Sequence, residues 1–123
     1  MPSISVQELI RDKEKYFAQE VTVSGYLFVA PPLCHLASAR LHFYDEQVNI
    51  RQESIFLSPD FHLTLINSDA VSWMLVGGDA LFQCDAEVTG VIECNVPSPY
   101  PVGILNISYI ALKKDTDSIK IAL

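Results

Sequence analysis

Two stretches of this chain alternate apolar and polar residues without a break, and each carries a glycine inside its apolar row. In the first, Val21, Val23, Gly25, Leu27 and Val29 point one way while Thr22, Ser24, Tyr26 and Phe28 point the other. In the second, Phe82, Cys84, Ala86, Val88, Gly90 and Ile92 form the apolar register, and Gln83, Asp85, Glu87, Thr89 and Glu93 the polar one. A period of two over such lengths predicts antiparallel strands with one face in a core and one in water. A glycine within the row sacrifices packing and entropy, so it marks a bulge, a sharp bend or a close backbone approach, which a tightly coiled sheet requires.

The other elements are read around these two. Ser5 and Glu8 have capping-box spacing, and Val6, Leu9, Ile10 and Lys13 keep a helical period through to Tyr16 and Phe17, which predicts a helix within residues 1–18. Acidic and basic residues are interspersed on its outer side, as on a solvated helix, and its apolar side is expected to cover one opening of the sheet structure. Pro31-Pro32 ends the first strand by removing ladder donors. Arg40, His42 and Tyr44 alternate with Leu41 and Phe43, and after the turn at Asp45-Glu46-Gln47 residues 48–57 resume an extended pattern, so a hairpin of a second and third strand is expected. Residues 58–78 fit either a strand at 61–66 or a short helix begun by Ser68, and the reading is a connector with one helical turn. Gly77-Gly78-Asp79 is a turn, the prolines at 97, 99 and 101 mark a loop, and residues 103–112 are a last strand. Residues 113–123 form a polar tail or an added edge strand.

The helix ending Tyr16-Phe17, the strand Glu20-Val-Thr-Val-Ser-Gly-Tyr-Leu27, the strand Ala86-Glu-Val-Thr-Gly-Val-Ile92 and its partner Gly103-Ile-Leu-Asn-Ile-Ser-Tyr-Ile110 together resemble a small stand-alone bacterial OB-fold, loosely of the tRNA-anticodon-binding-like group. That resemblance implies a mainly β, OB-fold-like five-stranded antiparallel Greek-key barrel, here filling residues 19–112 after the N-terminal α-helix. It also implies a ligand face on the second and third strands, flanked by the loops between strands one and two and between strands four and five. Those loops are expected at residues 30–37 and 94–102. Their prolines reduce the entropy lost when a loop is held for recognition, and prolines equally serve to terminate strands and guard edges.

Length and charge restrict what such a barrel does. A chain of 123 residues that is 50% hydrophobic can close one core as a single domain. It holds 15 acidic and 8 basic residues for a formal charge of −7, and residues 61–112 contain no Lys or Arg. Such a stretch is a poor partner for a phosphate backbone; it reads as a solvated acidic face or as one that meets a basic protein. Cys34, Cys84 and Cys94 match neither a disulfide framework nor a paired metal-ligand motif, and are expected reduced, Cys84 as a buried small hydrophobe. The first eight residues have neither the basic start nor the apolar run of a secretory leader, and no apolar run reaches membrane-spanning length, so a cytoplasmic location away from membranes is expected.

No catalytic constellation emerges. His35, His42 and His62 lie in separate segments, and the adjacent Cys34-His35 pair would point apart in extended chain. Asn106-Ile107-Ser108 matches a glycosylation sequon but falls inside an expected cytoplasmic strand, where it is chance. Tyr26, Phe28 and Tyr44 with Arg40, His42 and Arg51 would supply rings and cations for single-stranded nucleic acid on the barrel face. Against that stands the acidic balance of the chain. Rings at Tyr26, Phe28, Trp73 and Tyr100 beside rigid loops are also what protein interfaces favour. The expectation is a non-catalytic binding module without cofactor or metal, for another protein in an accessory, inhibitory or immunity-like role. Homodimerisation through residues 119–123 is a further reading, and oligonucleotide binding through the face of the second and third strands is the alternative.

Overall fold

The computed structural model describes residues 3–30, 33–37, 54–58, 67, 82–97, 100–114 and 117–122. Their elements run β1 (Ile4–Ser5), α1 (Val6–Arg11), α2 (Lys13–Tyr16), β2 (Glu20–Ala30), β3 (Leu33–Ala37), β4 (Ser54–Leu57), β5 (Phe82–Glu93), β6 (Val102–Lys114) and β7 (Asp117–Ala122). The expected strands 40–44 and 48–53, the connector at 59–66 and 68–78 and its Trp73, and the Gly77-Gly78 turn lie outside the described residues.

The two alternating stretches form the long wall of the molecule. Val21, Val23, Leu27 and Val29 of β2 are buried, while Thr22, Ser24, Tyr26 and Phe28 are half-buried on the other side. On β5, Cys84, Ala86, Val88 and Ile92 are buried and Asp85 is exposed. The strands pair antiparallel from Glu20↔Val91 to Val29↔Phe82, which places both apolar rows on one side. Each Val, Leu or Ile enclosed this way stabilises the fold by about 1.5–3 kcal/mol relative to an exposed one.

Closure follows from the pairing order. β2 pairs with β3, β3 with β4, β4 with β6, β6 with β5, and β5 again with β2, so five strands form a closed OB-fold-like Greek-key barrel. Four of these seams are antiparallel; the β4–β6 seam is parallel, a departure from the all-antiparallel expectation. The cause is topological. β5 returns to lie beside β2, so β6 must run back along β4 in the same direction, and a parallel pair needs the long crossover that residues 58–101 provide.

Both strand glycines have steric causes. A Cβ on Gly25 would lie 2.7 Å from the Ala37 carbonyl oxygen, 2.7 Å from Val6 Cγ2 and 2.8 Å from Leu36 Cγ. This is where α1 sits against the barrel, with Val6 and Leu9 buried in its core. Gly90 marks a bulge. One residue separates Thr89 from Val91 on β5, but their partners Tyr109 and Leu105 on β6 are separated by three, Asn106, Ile107 and Ser108. Asn106 takes the left-handed turn of the bulge at φ 50°, a conformation Asn tolerates better than most residues.

The helix starts as expected and then departs from expectation. Ser5 Oγ accepts the Glu8 amide at 3.0 Å, which is half of a capping box. The Glu8 carboxylate does not complete the box; its Oε2 accepts the Tyr16 hydroxyl at 2.8 Å. The single helix expected through Phe17 is two, divided at Asp12 with φ −112° and ψ 30°. Asp competes with helical backbone through its own side chain, and here that carboxylate pairs with Arg11 at 3.2 Å.

At the other end, of the two readings for residues 113–123, the added edge strand is the one observed. β7 pairs antiparallel with β6 from Tyr109↔Ala122 to Lys114↔Asp117 and buries Ile121. Among the described residues, no helix is long and apolar enough to cross a membrane.

Candidate functional site

Residues 30–37 were expected to be a loop, and this is corrected by the structure. Ala30 already pairs with Leu33, so residues 31 and 32 alone connect β2 to β3, and the second barrel strand begins at Leu33. Pro31-Pro32 does end the first strand, but the chain returns immediately instead of wandering. The shift puts His35 on a strand.

One transverse line of pairing then crosses four strands of the barrel: Phe28 of β2 opposite His35 of β3, His35 opposite Phe56 of β4, and Phe56 opposite Gly103 of β6. Residues directly paired across a sheet share a face. Their chain neighbours Leu27, Cys34, Leu36, Ile55, Leu57, Val102 and Ile104 fill the core, so Phe28, His35 and Phe56 form a row on the outer surface. His35 is nevertheless only 7% exposed, because rings cover it. Phe28 stacks on the imidazole at 5.0 Å with 12° between planes, and Tyr100 tilts over it at 6.0 Å. Tyr100 also lies 5.4 Å from Phe56, and its hydroxyl is 3.1 Å from His35 Nδ1, a hydrogen bond whose donor depends on the imidazole tautomer.

Tyr100 comes from the β5–β6 connection; a loop was expected at residues 94–102, and residues 94–97, 100 and 101 do lie outside the strands, while Val102 already opens β6. Glu93 Oε1 accepts the amides of Cys94 and Asn95, each at 2.9 Å, and so fixes the loop's departure from β5. Gly103 provides the seat: a Cβ there would meet Val96 Cγ1 at 2.7 Å and the Phe56 carbonyl oxygen at 3.0 Å. The missing side chain in the transverse row is thus replaced by Val96, and a turn in which the Tyr100 amide donates to the Pro97 carbonyl at 3.1 Å carries the ring onto the row.

Of the residues singled out for a ligand face, the structure brings Phe28 and Tyr100 to this cluster. Tyr26 lies two residues further along the same outer row, opposite Ala37. Arg40, His42, Tyr44 and Arg51 lie outside the described residues. Sequence reasoning missed His35 and Phe56, having assigned the first to a loop and given the second no role. A Pro-Pro pair between two apolar runs, read as a two-residue turn, would have placed His35 on a strand, whereas Phe56 depends on the β3–β4 register.

The chemistry on offer is an aromatic shelf with an imidazole at its centre. Cys34, adjacent to His35, points to the core instead, where burial pushes its thiol up to about 12 and keeps it protonated at neutral pH. Among the described residues, no group of three or more His, Cys, Asp or Glu side chains is placed to hold a metal ion. The chain matches no protein-family model, no curated protein and no solved structure, so any functional reading stands on these residues and this topology.

Proposed function

We propose that this protein is a non-catalytic binding module that recognises another protein through the outer face of β2, β3 and β4. The observation that carries the reading is the Phe28–His35–Phe56 row with Tyr100 over it, a set of half-buried rings about a polar centre on the face where OB-like barrels hold ligands. Such amphipathic rings are the anchors that protein interfaces concentrate at their centres. The formal charge of −7 and the absence of Lys and Arg from residues 61–112 favour a protein over a phosphate backbone. The same rings would also stack with bases, so single-stranded nucleic acid is the second reading, and Arg40 and Arg51 are the cations it would need.

Affinity capture from native lysate, with and without nuclease, tests the choice. A protein retained by the wild type in both arms, lost with Phe56→Ala and kept with the off-face variant Phe17→Ala, is the expected result. Loss of every retained species on nuclease treatment, or binding of fluorescent oligothymidylate that collapses as salt rises, would replace it with the nucleic-acid reading.

A further inference from the structure

We infer that the outer edge of β7 pairs with the same strand of a second copy of this chain, antiparallel and centred on Ile119, so that one sheet runs through two barrels. The five ring strands have a neighbour on each edge; of the two strands outside the ring, among the described residues, β1 offers two residues and β7 six. β7 lies against β6 in six successive pairs without a bulge, from Tyr109↔Ala122 to Lys114↔Asp117, and no described strand pairs with its other edge. It contains no Gly or Pro, and Asp117, Ser118, Lys120 and Ala122 are exposed. On that edge alternate residues turn an N–H and a C=O away from β6, and an unbroken row of such groups is a template for another extended chain. Along β6 the aromatic row ends at Gly103 and pairing with β7 begins only at Tyr109, so this edge is a second surface, apart from the β2–β4 face.

The side chains select the occupant and its register. Ile119 and Ile121 lie opposite Leu112 and Ile110, which are fully buried, so they face inward; Ser118 and Lys120, opposite Lys113 and Ala111, face outward. Ile121 is buried but Ile119 only half-buried, so the apolar inner stripe stops short at the edge, and another β7 continues it. Residues opposite each other across a sheet share a face, so a symmetric antiparallel pair is centred on a residue and not between two. Centring on Lys120 sets it against Lys120 of the partner subunit, and like charges directly opposite destabilise a sheet. Centring on a residue nearer either end overlaps three residues of the strand at most. Centring on Ile119 overlaps five, sets Ile119 against the partner's Ile119 on the inner face, and sets each Ser118 against Lys120 of the partner subunit on the outer face. Such a pair closes at two copies, because each β7 edge is used once.

Sedimentation of the full chain over a concentration series tests the association. The mass is expected to rise to that of two copies and stop there; a monomer at every concentration up to about 1 mM, or growth past two copies, overturns the inference. Cysteine substitution reads the register, in a Cys94→Ala background because Cys34 and Cys84 are buried. Ile119→Cys is expected to give a covalent dimer on mild oxidation, since residues directly opposite have Cα atoms about 4.5–5.5 Å apart, within disulfide reach. Lys120→Cys would lie about 7–8 Å from its counterpart in this register and is expected to cross-link roughly tenfold more slowly. No cross-linking at 119, or cross-linking at 120 as fast or faster, overturns the inference. Should Ile119→Cys not fold, Ser118→Glu changes an exposed position and sets a carboxylate opposite the partner's Lys120 twice, which should tighten the dimer roughly two- to tenfold at low salt. A dimer left unchanged or weakened by it overturns the inference. Phe56→Ala is expected to leave the dimer mass unaltered; its loss there would move the contact to the aromatic row and overturn the inference as well.

Discussion

The long wall of the barrel, β2 with β5, and the short wall, β3 with β4, use the same alternation for different ends. On the long wall the outer residues include Thr22, Ser24, Glu87 and Thr89, which bond to each other and to nearby polar groups: Thr22 Oγ1 to Thr89 Oγ1 at 2.7 Å, Ser24 to Ser3, and Glu87 to Lys113 at 2.6 Å. These pairs tie polar side chains of that surface to one another and to their neighbours. Where β2 continues onto the short wall, the outer residues become Phe28, His35 and Phe56, and a loop folds over them. The inner row remains Leu27, Leu36 and Ile55 throughout. What distinguishes the candidate site is therefore its outer row alone, and residue parity along single strands separates that row from the core.

The sharpest way to break that comparison is at two adjacent residues. Leu27 is fully buried and Phe28, its neighbour on β2, is half-buried on the outer shelf. Leu27→Ala should cost about 2–5 kcal/mol, the transfer loss plus the cavity it leaves. Phe28→Ala should cost about 1 kcal/mol, since it forfeits partial burial and one ring stack. Urea denaturation of both variants measures the difference, and partner capture should show the opposite ranking. Equal destabilisation would mean the shelf is core, and the site reading would fall.

How much of this was legible follows the same division. The long wall declared itself because eleven or twelve residues alternate without interruption, and its glycines could be read as places of close approach before any neighbour was known. The short wall did not, because β3 and β4 contain five and four residues, too few for a period to stand out. Its identity depends on register: nothing local to His35 says that Phe56 lies opposite, and nothing local to Gly103 says that Val96 will fill its place. The parallel β4–β6 seam is likewise a property of chain return and leaves no local trace. Tyr100 was legible as a ring in a proline-bearing loop, but its target was not.

The glycines sharpen the comparison next. Gly25 of the long wall is enclosed by Val6, Leu36 and the Ala37 carbonyl, so Gly25→Ala forces α1 and β3 apart and should destabilise by about 1–3 kcal/mol, as overpacking does. Gly103 of β6 would set a Cβ 2.7 Å from Val96 Cγ1, a side-chain methyl of the β5–β6 loop, and 3.0 Å from the Phe56 carbonyl oxygen, a looser approach to backbone than the 2.7 Å at Gly25. Gly103→Ala should therefore cost less, and thermal melting of the two variants reads the difference. If Gly103→Ala proves the more destabilising of the two, the β5–β6 loop is as much a part of the packed barrel as α1 is.

The smallest effect is invisible at neutral pH and separates inner from outer within β3 itself. Cys34 points inward and burial raises its thiol from 9.0 to about 12, whereas His35 beside it lies on the outer row. A group whose folded value is raised stabilises the fold fully below its unfolded value, because in that range both states hold the proton. Above 9 the unfolded chain releases that proton while the folded one retains it, so the unfolded state binds fewer protons and stability falls with rising pH until about 12. Tyrosines and lysines titrate in the same window, so the informative quantity is the difference between wild type and Cys34→Ala. That difference should stay constant up to pH 9 and then shrink as pH rises, read from urea midpoints across the window. Parallel pH profiles would place the Cys34 thiol in contact with water, and the inward register of β3 would be wrong with it.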